Sequence, residues 1–405
     1  MIRVRNTWIA AHEIVYKGNE NQKYFLRSLW LGGPYMRVLV AGQSGLDKMH
    51  FLNDLQLLCN DKARDSCDEG VALDEGTLRK AHIHAVLDVE KEFQQRETVS
   101  NYLDINESQF IDGKNQILRE LDQQYGPDKN LIIATHLTYF RKKSIFHRVG
   151  WDSLRMLGPD MIITLIDDVH SVYSRIQGRR DPDDYVRSVT MKDLMSWREA
   201  EIMMAQTIAD NLYTGRKIPH YLVALNHKVQ VVYQLIFEQG KKRVYASYPM
   251  TTAKDDRDLI RAIGAFVEEL KKYFIVFDPG TIGEKTLHDS TVNHLRGPLP
   301  SLSPFISVNG KEYRLEELLP ILPDIGGQIV TRDERLIRQS NAIIAYRPAL
   351  SEGIRYELDY AAQIGRYSVA FHPKDDGESP FAQRAQVSCA DYQHFMRTVR
   401  EFANS

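Results

Sequence analysis

Cysteine is scarce in this chain: Cys59, Cys67 and Cys389 are the 3 in 405 residues, widely spaced and with no CxxC pair. Their number and spacing exclude a disulfide framework and a cysteine-built zinc site, and fit a reducing cytoplasm. Long apolar runs are missing too. No stretch reaches the roughly 18 uninterrupted apolar residues of a membrane span, and Arg3, Arg5, His12 and Glu13 break up the N-terminal segment. Neither a membrane partner nor a signal peptide is expected. Charge of one sign is also lacking. With 52 Lys and Arg against 54 Asp and Glu, the net charge of -2 gives no global field for nucleic acid or an anionic membrane, so any such contact must be local. No internal repeat or low-complexity tract occurs.

What is present is the composition of a folded globular protein, 43% apolar, 10% aromatic and 26% charged. The length suffices for two or three domains, each with its own core. Residues 1–33 hold two strand-like runs, Thr7 to Val15 and Lys23 to Leu31, separated by a turn at Lys17 to Asn21, and read as an N-terminal extension with a β-hairpin. From residue 34 to 240, short apolar runs at Val38–Ala41, Leu131–Ala134, Met161–Ile166 and Tyr221–Leu225 alternate with helical patterns, beginning with Lys48–Leu58. That alternation predicts an α/β domain with a parallel sheet covered on both faces.

The cluster Glu238-Gln-Gly-Lys-Lys242 marks a boundary, and a second α/β domain is expected over 241–405. Its strands are predicted at Arg243–Ser247, Phe274–Phe277, Ala342–Tyr346 and Ser368–Phe371, and its helices at Arg257–Lys272, Arg332–Gln339 and Gly353–Ile364. The proline-rich stretch Gly280–Leu322 reads as a long loop.

In a parallel α/β sheet, ligands bind outside the carboxyl ends of the strands. The loop Arg347–Glu352 lies there, with Glu357 in the first turns of the next helix. Ser351 and the adjacent backbone N–H groups form an anion site suited to a phosphate. Asp333, expected on a preceding loop where it could also cap a helix, brings a second carboxylate. Two carboxylates beside an anomeric carbon suit an oxocarbenium-like transition state, one as nucleophile and one managing a proton, with no metal required. Taken singly, Glu357 and Asp359 could be solvated first-turn acids, and Tyr356 and Tyr360, spaced i and i+4, are expected in the core.

The run Ser351-Glu-Gly353-Ile-Arg-Tyr356-Glu357-Leu358 resembles the nucleoside 2-deoxyribosyltransferase superfamily, in particular its 2'-deoxynucleoside 5'-phosphate N-hydrolase branch. The segment Tyr245-Ala-Ser247-Tyr248-Pro249-Met250 resembles that family's first strand and pocket turn, and Val276–Pro279 its next unit. Over about the last 165 residues, the resemblance implies a Rossmann-like fold and an N-glycosidase. It makes Glu357 the nucleophile and Asp333 the aid to base departure. Tyr245 joins the catalytic group, and Ser247, Pro249, Ser351, Gly353 and Ser379 contact the substrate. Ser351, where base-transferring members often carry an acidic residue, implies a phosphorylated substrate. Family members are commonly oligomers, which implies a homo-oligomer.

Residues 36–238 resemble P-loop kinases of the adenylate-kinase group. The segment Gly42-Gln-Ser-Gly45-Leu-Asp47-Lys48-Met49 keeps Gly42, Gly45 and Lys48 of the GxxxxGK[ST] pattern, while Asp47 and Met49 break it. Asp47 adds charge where backbone N–H groups approach phosphate, and Met49 lacks the hydroxyl that binds magnesium, so ATP with magnesium is a candidate ligand of this domain but efficient phosphoryl transfer is not expected. Arg175 and Arg179, in Arg175-Ile-Gln-Gly-Arg179-Arg180, resemble the group's phosphate clamp and read equally as a solvated helix end. The helix at Trp197-Arg-Glu-Ala-Glu201 is expected to bury Trp197 and turn its charges to solvent, and His136, His170 and His227 carry no ligand spacing.

The leading expectation is therefore a hydrolase or transferase that cleaves the N-glycosidic bond of a (deoxy)nucleoside 5'-monophosphate or related nucleotide, fused to a kinase-like domain. Superfamily members act as effectors in bacterial antiviral systems. That architecture allows NAD as substrate and a regulatory protein or nucleic acid as partner. Two rivals are a nucleoside monophosphate kinase with a C-terminal binding module and a non-catalytic nucleotide-sensing scaffold.

Overall fold

The computed structural model describes residues 2–4, 7–9, 35–68, 82–96, 105–126, 129–147, 149–178, 188–250, 256–296, 303–308, 310–373 and 385–405. Its architecture is mixed α/β, with two five-stranded parallel sheets flanked by helices. Contacts divide the chain into two compact units, residues 1–165 with 196–221 and residues 166–195 with 222–405. At the N-terminus Ile2–Val4 pairs antiparallel with Thr7–Ile9. The turn expected at residues 17–21 lies outside the described residues.

The first sheet runs in the order Ala85–Asp88, Leu131–Ala134, Arg37–Ala41, Met161–Ile166, His220–Ala224. Its central strands are buried on both faces and apolar apart from Arg37 and Thr164, as a helix-covered parallel sheet requires. Leu39 and Ile133 pack with Phe110 and Ile117 of the helix Glu107–Tyr125 and with Ala205 and Ile208 of the helix Met191–Asn211. Trp197 is buried as expected, and its indole N–H donates to the Thr138 carbonyl at 3.1 Å. Glu201 departs from expectation. It is fully buried rather than solvated, because it accepts the backbone N–H groups of Leu137 and Thr138, each at 3.2 Å.

The second sheet is built wholly from strands beyond Lys241, in the order Ile275–Phe277, Arg243–Ser247, Ala342–Tyr346, Tyr367–Phe371, Val387–Cys389. Numbered by sequence within the sheet this is the doubly wound order 2-1-3-4-5, whose switch point falls between the first and third strands. Alternation along those strands separates two faces. Val244, Ala246, Ala342, Ile344 and Val369 pack with Phe266, Val267 and Leu270 of the helix Arg257–Tyr273 and with Phe395 and Val399 of the helix Tyr392–Asn404. Tyr245 and Ser247 take the other face, towards the helices Leu322–Arg338 and Glu352–Gln363.

The stretch 280–322 is not a long loop. It contains the helix Glu284–Leu295, the antiparallel pair Phe305–Val308 and Lys311–Arg314, and the short helix Leu315–Leu318. The next helix begins at Leu322, well before the expected Arg332, because Pro323 falls in its first turn, where a missing N–H costs nothing. Asp333 is therefore in a helix interior, neither on a loop nor at an N-cap.

Candidate active site

Glu357 sits on the helix Glu352–Gln363, which follows the third strand of the second sheet and starts at Ser351. Ser351 is the N-cap, its hydroxyl accepting the Ile354 N–H at 3.5 Å. One turn further, the half-buried Glu357 carboxylate meets the end of the first strand. Tyr245 donates its hydroxyl to Oε1 at 2.8 Å, and Ser247 donates to Oε2 at 2.5 Å. Tyr245 and Ser247 have no exposed surface, so the hydroxyls are held by the sheet itself. Both carboxylate oxygens are thus fixed at the switch point of the sheet, where a doubly wound fold places its ligand.

Burial and the neighbouring Asp333 charge push the Glu357 carboxyl up to about 8, against the pull of the two hydroxyl donors and Arg332. Asp333 is nine-tenths buried and raised as well, by burial first, with Arg332 opposing. The carboxylate that adds to the rise of Asp333 is Glu284, so the charge of Asp333 acts on Glu357 while its own proton is governed by burial, Arg332 and Glu284. Tyr245 is held well above the phenol range by burial and by Asp333 and Glu357, so it acts as a donor and not as a phenolate.

Around this pair stand Arg332 and Glu284, which the sequence did not single out, and Tyr248 of the expected pocket turn. Arg332 donates from Nε to Asp333 Oδ1 at 2.9 Å, and its Nη1 lies 3.5 Å from Glu284 Oε2. Tyr248 donates to Asp278, whose Oδ1 also accepts the Gly280 N–H at 3.0 Å. Pro249 is buried just past Tyr248. Gly353 is exposed, and a Cβ there would meet only Ser351 Oγ at 3.9 Å, an ordinary contact. Tyr356 is 48% exposed and donates to Glu334, so it is a surface residue rather than core. Ser379 lies outside the described residues. The structure therefore brings together Glu357, Tyr245 and Ser247, with Asp333 acting on them through its charge.

In the first unit, Gly42 has φ 148°, Gly45 φ 86° and Asp47 φ 54°. Asp47 occupies a left-handed position that glycine adopts without strain. A Cβ on Gly42 would meet the Leu165 carbonyl at 2.8 Å, which requires glycine there. The Lys48 ammonium turns back onto its own loop, donating to the Gly42 carbonyl at 2.5 Å and lying 3.0 Å from His136 Nδ1. Burial lowers its pKa, against the charges of Glu90 and Glu201. Glu90 Oε1 accepts from Lys114 at 2.9 Å, Thr135 at 2.9 Å, the His136 N–H at 3.0 Å and Tyr139 at 2.8 Å. His136 thus belongs to the Lys48 cluster, although its sequence context carried no such signal. Arg175 belongs to the other unit and pairs with Asp167, while Arg179 lies outside the described residues.

No protein-family model matches the chain, and no curated protein matches it. Among solved structures, a shikimate kinase from Bacteroides thetaiotaomicron is a distant neighbour. It shares 12% identity over 58% of this chain and 98% of that one, with a TM-score of 0.28. That score is too low to carry an argument about the site. Among the described residues no group of three or more His, Cys, Asp or Glu side chains is arranged to hold a metal, and no helix is long and apolar enough to cross a membrane.

Proposed function

We propose that residues 241–405 carry an N-glycosidase acting on a nucleotide, with Glu357 as nucleophile. The observation that supports it most is the double clamp of Tyr245 and Ser247 on the two oxygens of Glu357, at the sheet's switch point. The ionised Glu357 attacks the anomeric carbon, and the bond to the base breaks with its electron pair passing to the base nitrogen. Asp333, raised by burial, supplies the proton to that nitrogen, and water then hydrolyses the glycosyl ester. The Ser351 hydroxyl accepts from the helix backbone, which leaves its own proton to donate to a phosphate oxygen of the substrate.

For the first unit the reading is nucleotide binding without efficient phosphoryl transfer, with ATP and magnesium as the ligand to try. Asp47 stands in the left-handed position of the loop and Met49 offers no hydroxyl to a metal. The test of the main reading is incubation of the purified protein with each deoxynucleoside monophosphate and, separately, with NAD, followed by chromatography for free base. Release from at least one supports the reading, and release from none by a folded sample rejects it.

A further inference from the structure

Asp333 would do its work through one carboxylate oxygen, and the structure indicates which. Two guanidinium nitrogens of Arg332 converge on the same atom, Nε and Nη2 each lying 2.9 Å from Oδ1. Oδ2 is the oxygen that Arg332 leaves unengaged. Arg332 is held in turn on its far side, with Nη1 3.5 Å from Glu284 Oε2, while Glu284 Oε1 accepts the Val169 N–H at 3.1 Å. Val169 opens the helix Val169–Gln177, so Glu284 is anchored to the backbone of a helix N-terminus. All three side chains are nearly closed to solvent, Glu284 at 1%, Arg332 at 3% and Asp333 at 7% exposure.

A planar guanidinium held at both ends cannot rotate without breaking a buried contact, and this rigidity separates arginine from lysine. Resting on the glycosidase reading above, we propose that Arg332 is a positioning residue that fixes Asp333 by its Oδ1, turns Oδ2 to the departing base, and is itself held by Glu284. Its role is geometric and electrostatic, and it does not touch the substrate. The groups that share this field are Glu284, Asp333, Glu357, the Tyr245 hydroxyl and His227, with Lys285 acting on Asp333.

The network is tested with Arg332→Lys and Arg332→Gln, both measured for base release across pH and for the titration of ¹³C-labelled carboxylates by NMR. Lysine keeps the charge but cannot set the flat edge of a guanidinium, Nε donating and Nη2 in ion-pair contact, against Oδ1. Misplacement of a catalytic group by about 1 Å costs about 100-fold, so kcat should fall by that order with KM little changed. Glutamine also removes the positive charge that lowers the acids. The Glu357 carboxyl should then titrate at higher pH than in wild type, and the rising limb of the rate profile should move up with it.

A rate, a pH limb and a carboxyl titration all unchanged in folded Arg332→Gln would overturn the proposal. If glutamine at 332 prevents folding, Arg332→Lys decides alone, and full activity there overturns it equally. Failure of the glycosidase reading looks different, because wild type then releases no base. The NMR titration still shows whether Arg332 governs Asp333 and Glu357, and an unshifted titration then rejects the network.

Discussion

Tyr245 and Glu357, 112 positions apart in sequence, are joined by a hydrogen bond of 2.8 Å from the phenol to carboxylate Oε1. The phenol is fully buried on a sheet strand and the acid is on a helix, so the bond fixes the rotamer of the proposed nucleophile. Tyr245→Phe removes one donor to a charged acceptor, worth about 1.5–3 kcal/mol. Base release should fall by about 10- to 100-fold, and because the buried bond also holds the folded state, denaturant unfolding should register a loss of that order in energy. An unaltered rate would show that this bond is only structural.

Glu357 titrates at about 8 in the folded protein and at 4.5 ordinarily. In the proposed mechanism its ionised form is the nucleophile, so base release should rise with pH through that region. The same shift gives a stability signature. A carboxyl raised on folding binds its proton more tightly in the native state, so stability should decline as pH climbs from about 4.5 to about 8. Glu357→Gln removes this contribution, and urea titrations should show it gaining on wild type at pH 8 relative to pH 5.

Glu90 presents the opposite sign. Burial alone would push it up, yet Lys114, His136 and Lys48 hold it well below the usual carboxylate range. Its stabilising contribution is present above the ordinary glutamate range and is lost as pH falls through the depressed value. Glu90→Ala leaves Lys114, 4% exposed, without its carboxylate. Removing one partner of such a pair costs about 3–5 kcal/mol, which denaturant unfolding at pH 7 would register.

Lys48→Met separates the two proposed activities. The ammonium contacts its own loop and His136 in the first unit, so base release should continue unchanged while any ATP binding weakens. Isothermal calorimetry with ATP and magnesium, run beside the base-release assay, checks both arms. Loss of base release would show that the loop serves the glycosidase reaction.

Much of the fold was legible because buried parallel strands write themselves as apolar runs. Ala342–Tyr346 and Arg243–Ser247 stand where expected, and Arg257–Tyr273 differs from its expectation by one residue. The hidden parts have physical reasons. The edge strand Ala85–Asp88 is largely only half-buried, and its apolar run is just Ala85-Val-Leu87 between His84 and Asp88, too short to stand out. Prolines masked the elements in 280–322, although Asn309-Gly310 between Phe305–Val308 and Lys311–Arg314 is a strong hairpin signal, and Gly310 has the positive φ such a turn needs. Glu357 could be picked out by residue type and position, while Tyr245 and Ser247 were singled out only through the resemblance of their segment. Arg332, Glu284 and Glu201 could not, since a charged residue on a helical stretch reads as solvated until its buried partner is known.

The most direct test of the central claim is product analysis of wild type beside Glu357→Gln, using the nucleoside monophosphates and NAD under identical conditions. The account predicts free base from wild type on at least one substrate and none from Glu357→Gln, with both proteins folded. Equal release by the two proteins, or none from wild type, would contradict it.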